Sequence, residues 1–143
     1  MIRDLEKRPH ERLDVWQDAM SLVEAVYRLT AGLPDSERFG LVSQMRRAAV
    51  SVPSNIAEGA ARRSTAEYLR FLSIARGSLA ELDTQLQIAL RLELSAPSTE
   101  IEETLQRTFA RLNALLAALE KRPVDARSSE SRITNPQSRP SNA

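Results

Sequence analysis

Cysteine is absent from the 143 residues, and histidine occurs once, at position 10. A chain without cysteine has no disulfide framework, no thiolate metal site and no cysteine nucleophile. One histidine in a charged leader all but removes histidine-based metal clusters and Ser-His triads. Glu-x-x-His pairs are missing, which leaves a di-iron bundle site without ligands. Neither a Walker loop nor a dinucleotide fingerprint is present. No cofactor, metal or catalytic residue is therefore expected, and the chain reads as a non-enzyme. Aromatic residues make up only 4%, too few for a base-stacking platform. The N-terminal run Met1-Ile2-Arg3-Asp4-Leu5-Glu6-Lys7 lacks the apolar stretch of a signal peptide. No segment approaches the roughly 18 apolar residues of a membrane span. A cytoplasmic protein with no membrane partner is the expectation.

Glycine is also scarce, at four residues, while 42% of the chain is hydrophobic and 27% charged. A chain of this length suits one domain with a real core, and its Leu, Ala, Glu and Arg content favours long helices. Net charge is +1, but the distribution is uneven. Residues 38–63 hold five arginines against one acid, Glu58, while residues 1–37 hold five basic residues against eight acids. Positive charge gathers where the bulk number conceals it.

Four amphipathic helices follow from the spacing of apolar residues. The first spans about 14–31, with an apolar row Leu13, Trp16, Met20, Val23, Tyr27, Thr30. A second row, Val15, Leu22, Val26, Leu29, points either to a second neighbour in the bundle or to a subunit interface. Gly32 and Pro34 close this helix. The second spans about 36–58, entered at Pro34-Asp35-Ser36-Glu37, with Leu41, Met45, Ala48, Val52 and Ile56 inward. The third carries the capping-box sequence Ser64-Thr65-Ala66-Glu67. Its row Tyr68, Leu72, Ala75, Leu79, Leu82, Leu86, Ala89 alternates steps of four and three, and it is expected to reach Leu94. Gly77 lies in its middle, where the expected compensation is close approach of another helix. The fourth follows Pro97-Ser98, with Ile101, Leu105, Thr108, Leu112, Leu115 and Leu119 inward, and ends at Pro123. Short connections imply an antiparallel, up-down-up-down four-helix bundle. The reading is thus all-α: a charged leader (1–12), a bundle (13–122) and a tail (123–143) whose Ser, Arg, Asn and Pro content predicts disorder.

The segment 44–59, Gln-Met-Arg-Arg-Ala-Ala-Val-Ser-Val-Pro-Ser-Asn-Ile-Ala-Glu-Gly, is the most informative. Pro53 cannot donate a backbone bond and crowds the carbonyl of Ala49, so a kink is expected. Ser51, Ser54 and Asn55 are placed to satisfy the freed groups, and Asn55 is a candidate partner for Gln44 or Gln85. Arg46 and Arg47 project about 100° apart on a helix. One is expected to pair with Glu81 or Asp83 and the other to face solvent or a neighbouring subunit. A structural role and a phosphate contact both remain open for them, because the guanidinium fork suits carboxylate and phosphate alike. Arg62 and Arg63 flank the turn into the third helix, where they are either an anion site or solvated loop charges. Glu58 is expected to pair with a nearby arginine. Glu81 and Asp83, two residues apart, point in different directions and are no catalytic pair.

These residues resemble the 23S rRNA intervening sequence proteins, whose relatives include accessory variability determinants of diversity-generating retroelements. The resemblance rests on Leu13-x-Val15-Trp16, Leu33-Pro34-x-x-Glu37-x-Phe39-Gly40-Leu41 and Gln44-x-Arg46-Arg47-Ala48. It continues through Ser51-Val52-Pro53-x-Asn55-Ile56-Ala57-Glu58-Gly59 and Ala75-x-Gly77-Ser78-x-x-Glu81-Leu82. It implies a four-helix bundle that assembles into a homopentameric ring, in a family of which some relatives bind nucleic acid and a reverse transcriptase. The family name describes where some of the genes lie, not an activity. Two function classes follow. One is a homo-oligomer that binds RNA or DNA through Arg46, Arg47, Arg62 and Arg63. The other is a protein-interaction scaffold whose arginines serve structural and inter-subunit ion pairs. Pro53, Asn55, Glu58, Gly59, Gly77 and Glu81 are expected to be structural.

Overall fold

The structure, a computed structural model, describes residues 8–122. The tail expected over 123–143 and the first seven residues of the leader lie outside the described residues. Four α-helices account for most of the rest: α1 (Asp14–Ala31), α2 (Leu41–Ala60), α3 (Thr65–Arg91) and α4 (Thr99–Glu120). Two single 3-10 turns, Pro9–Arg12 and Asp35–Glu37, precede α1 and α2, and no strand occurs among the described residues.

Local signals set two helix starts as expected. Ser64 accepts the Glu67 amide at 3.1 Å and Ser98 accepts the Ile101 amide at 3.2 Å, each satisfying an orphan donor of a first turn. Two boundaries differ from the sequence expectation. The residues after Pro34 form a 3-10 turn rather than the start of α2, which begins at Leu41. Gly40, at φ −107 and ψ −106, lies outside the helical region, and the Glu37 carboxylate accepts the Leu41 amide at 3.3 Å in place of the expected cap. At its far end α3 stops at Arg91 rather than Leu94. Glu93 there adopts a left-handed φ of 58, and the Leu94 amide turns back to the Ala89 carbonyl at 2.9 Å, the bond that closes a Schellman-type helix end.

The core follows the expected rows on α2 and α3 except at their first members, Leu41 and Tyr68, which are half-buried, with one correction on α4 and a larger one on α1. Met45, Ala48, Val52 and Ile56 are buried on α2, as are Leu72, Ala75, Leu79, Leu82, Leu86 and Ala89 on α3. On α4, Ile101, Leu105, Thr108, Leu112 and Leu119 are buried, but Leu116 is buried where Leu115 was expected and is only half-covered. Each fully buried Leu, Ile or Met contributes about 1.5–3 kcal/mol. On α1 the second apolar row supplies most of the core, although Thr30 of the first row is also buried and Leu29 of the second is half-buried. Val15, Leu22 and Val26 enter the core with Ala19 and Ala25, whereas Trp16 and Val23 are half-buried and Met20 and Tyr27 are exposed. Both rows are apolar, so the small residues decide: Ala19 and Ala25 let the α1 backbone approach its neighbours on that side.

Each helix packs against two others, α1 on α2 and α4, and α3 on α2 and α4. Named contacts fix which residues stand level with each other. Ser51 of α2 meets Ser78 of α3 at 2.8 Å, Arg46 of α2 meets Thr30 of α1 at 2.8 Å, and Arg76 of α3 meets Asn113 of α4 at 3.0 Å.

Candidate nucleic-acid interface

The adjacent arginines of α2 have different fates. Arg46 is half-buried and turned toward α1. Its Nε donates to the Thr30 hydroxyl at 2.8 Å, a second nitrogen reaches the Tyr27 carbonyl at 3.4 Å, and the guanidinium lies 4.3 Å above the Tyr27 ring. Thr30 in turn donates to the Val26 carbonyl at 2.8 Å. Arg46 thus ties the C-terminal end of α1, where carbonyls carry partial negative charge, to the first half of α2. Arg47, roughly 100° further round the helix, is exposed and has no carboxylate within 4 Å among the described residues. The expected ion pair with Glu81 or Asp83 does not form. Glu81 instead accepts a hydrogen bond from Gln85 at 3.4 Å, and Asp83 accepts one from Gln87 at 3.3 Å.

Around Pro53 the side chains bond neighbouring carbonyls rather than reaching across the bundle. Ser54 donates to the Val50 carbonyl at 2.8 Å, and the Asn55 amide donates to the Ser51 carbonyl and hydroxyl at 2.8 and 2.9 Å. Asn55 therefore bonds neither Gln44 nor Gln85, because Ser51, one turn earlier, is nearer. The carbonyls served are those of Val50 and Ser51, next to the Ala49 carbonyl that Pro53 crowds. Gln85 is buried, and its Oε1 has no hydrogen-bond partner.

The α2–α3 turn is built on Gly59. A Cβ there would stand 3.0 Å from Phe71 Cβ and from Tyr68 Cδ1, and 3.2 Å from the Tyr68 carbonyl. Gly59 is thus what lets the last turn of α2 lie against the first turns of α3. Gly77 behaves otherwise. It is exposed, and a Cβ would meet nothing within 4 Å. The close helix approach expected at Gly77 occurs at Gly59 instead, because Gly77 points away from α2 and α4.

Next to the turn, Arg62 pairs with Glu58 at 2.7 Å, as the sequence suggested, and lies 4.8 Å from the Phe71 ring. Arg70 covers the same ring at 5.0 Å and pairs with Glu67 at 3.8 Å. Arg63 is exposed and unpaired among the described residues. Half-burial pushes the Tyr68 phenol above its usual 10.0, an effect the Arg122 guanidinium partly offsets. Arg47, Ser51, Asn55 and Glu58 follow one another at steps of four, four and three, so they share one stripe of α2, and Arg62 lies two residues beyond its end, paired with Glu58. From Arg47 to Glu58 this stripe is roughly 16 Å long at 1.5 Å per residue.

Sequence reasoning missed the best-built polar cluster. Asp18 of α1 is buried and accepts from Arg107 Nε at 3.1 Å and Arg111 at 2.8 Å, both from α4. An available signal was an acid inside the inward-facing run Val15–Leu22, opposite two arginines at i and i+4. Arg28 and Glu100 add a second α1–α4 pair at 2.9 Å. An open cleft of about 390 Å³ runs between α1 and α2, lined by Trp16, Met20, Val23, Val50, Pro53 and Ala57 among others. No three His, Asp or Glu side chains gather as a metal site would require among the described residues. No described helix is long and apolar enough to cross a membrane.

Residues 11–118 match the family model described as 23S rRNA-intervening sequence protein. Among curated proteins none matches the chain.

Proposed function

The chain belongs to the 23S rRNA-intervening sequence protein family, and from that premise we propose a non-catalytic, cytoplasmic homo-oligomer that binds RNA or DNA through phosphates. The observation that carries the reading is the division between Arg46 and Arg47. One guanidinium is held in the fold by Thr30 and Tyr27, while Arg47 and Arg63 stand in solvent without acids of their own. Arginine in that state is suited to bidentate phosphate contact. With little aromatic surface available, binding is to the backbone, salt-sensitive and weak in base readout.

The subunit of this proposal is an antiparallel up-down-up-down bundle with α2 bent at Pro53. The level pairs Ser51–Ser78, Arg46–Thr30 and Arg76–Asn113 support that topology. The assembly is a ring of five. Its support, besides the family, is exposed apolar surface in two places: Met20 and Tyr27 of α1 with Val50 of α2, and, on α3, Ile74 near bare Gly77 with Ile88 about three turns further along. Two different patches on one subunit are what a head-to-tail ring needs. A ring repeats each positive patch around its axis, so a net charge of +1 per chain gives a strong local field.

The rival reading is a scaffold that presents the α1–α2 cleft to another protein, and the apolar lining of that cleft favours it. Purification separates the two. Bound nucleic acid, seen as excess absorbance at 260 nm that nuclease removes, supports the first. A protein partner retained after nuclease treatment, with no nucleic acid bound, supports the second. A monomer by light scattering at micromolar concentration removes the ring.

A further inference from the structure

The bundle is electrostatically two-ended. The α2–α3 turn, the start of α3 and the end of α4 come together at one end. Gly59 of α2 lies against Tyr68 and Phe71 of α3, and the Arg122 guanidinium at the end of α4 is near enough to act on the Tyr68 phenol. Arg76 and Asn113 bond at 3.0 Å. Counting back from Arg76 and forward from Asn113, at 1.5 Å per residue, brings Tyr68 and Lys121 to the same level. Arg62 and Arg63 therefore stand at one corner of this end and Lys121 and Arg122 at the opposite corner, with α3 between them. Of the acids nearby, Glu58 is committed to Arg62 and Glu67 to Arg70, which leaves Glu120 exposed beside Lys121. Arg63, Lys121 and Arg122 have no carboxylate within 4 Å among the described residues, and all three are exposed.

The other end has the opposite sign. The last turns of α1, the α3–α4 connection and the first turn of α4 meet there, around a cleft of about 490 Å³ lined by Arg28, Gly32, Ser95 and Glu100 among others, and the Asp35–Glu37 turn follows α1 at the same end. Asp35, Glu93, Glu102 and Glu103 are exposed at this end with no cation within 4 Å among the described residues, and they outnumber the exposed Arg38 and Arg91 there. Arg28 is already paired with Glu100 at 2.9 Å.

We propose that nucleic acid is held across the α2–α3 end of the bundle, with Lys121 and Arg122 of α4 completing the phosphate site begun by Arg62 and Arg63. This rests on the nucleic-acid reading above and adds two residues to it. Neighbouring helix axes stand about 8–10 Å apart, which sets opposite corners of the end roughly 11–14 Å apart, far enough for one strand to lay different phosphates against each. The two corners then engage different phosphates of one strand. The acidic end repels the same polymer, which fixes the orientation in which a subunit meets it.

The test uses the full chain and short fluorescein-labelled RNA, single-stranded DNA and duplex DNA, with anisotropy read over a salt series. Lys121→Ala/Arg122→Ala is compared with Arg38→Ala/Arg91→Ala, which removes the same charge from the acidic end. The proposal expects the first pair to reduce the magnitude of the log K against log salt slope by about 1–2 and the second to leave it unchanged. Equal losses from both pairs would reveal a bulk charge effect and overturn the assignment. Loss with Arg62→Ala/Arg63→Ala but none with Lys121→Ala/Arg122→Ala would confine binding to the α2 flank. A well-assembled wild type that binds none of the probes would overturn the nucleic-acid reading itself.

Discussion

Asp18 of α1 and Arg111 of α4 meet at 2.8 Å, and the second oxygen of the same carboxylate holds Arg107 at 3.1 Å. Two arginines one turn apart thus close on a single buried acid. The cluster fixes the rotation of α4 against α1, since Asp18 lies 89 and 93 residues away from its partners in sequence. Asp18→Asn keeps the shape but removes the charge. Hydrogen bonds to charged groups contribute about 1.5–3 kcal/mol, and the half-exposed guanidinium groups reduce that. We expect a loss of about 1–2 kcal/mol in urea unfolding with an unchanged helix content. An unaltered midpoint would mean that the cluster contributes nothing net.

The two glycines of the family-like motifs respond in opposite directions. Gly59→Ala forces a methyl to 3.0 Å from Phe71 Cβ and to 3.2 Å from the Tyr68 carbonyl, and overpacking of this kind costs about 1–3 kcal/mol. Gly77→Ala adds a methyl where nothing stands within 4 Å and restores helix propensity, a gain of about 0.5–1 kcal/mol. Thermal unfolding of both variants checks the pair. Destabilisation by Gly77→Ala together with loss of the oligomer would place Gly77 in a subunit contact.

Alkaline pH tests the setting of Tyr68. Its phenol is raised above 10.0 by burial, so the folded state keeps a proton that the unfolded chain releases. The contribution is fully present below about pH 10 and is lost as pH rises through the higher folded value. Arginine remains charged over this range. Tyr68→Phe is expected to flatten the fall in stability above pH 10, measured as urea midpoint against pH. A fall of equal steepness in the variant would place the alkaline loss elsewhere.

Local chemistry was legible in the sequence wherever the determinants lay within one helix turn. Ser64 caps α3 as its capping-box sequence required, α4 starts after Pro97-Ser98, and the seam from Leu72 to Ala89 is buried as its spacing required. Choices between near-equal alternatives were not legible. Both rows of α1 are apolar, and the contact with α2 and α4 decides which enters the core. The 100° between Arg46 and Arg47 showed that they must part, but only the position of Tyr27 and Thr30 determines which one is held. Glu93 hid a left-handed helix end because glycine, the usual signal, is absent there. The role of Asp18 was not legible within α1, because its partners Arg107 and Arg111 come from α4. Family membership and the all-helical fold were readable from the motifs themselves.

The central claim is that Arg46 holds the fold while Arg47 and Arg63 face phosphates. The most direct measurement is the salt dependence of RNA binding for Arg46→Ala beside Arg47→Ala/Arg63→Ala, with unfolding midpoints for each. The account predicts that Arg46→Ala lowers the midpoint and keeps the salt slope. It predicts that Arg47→Ala/Arg63→Ala keeps the midpoint and reduces the magnitude of the slope by about 1–2. A reduced slope with Arg46→Ala, or an unchanged one with Arg47→Ala/Arg63→Ala, would contradict it.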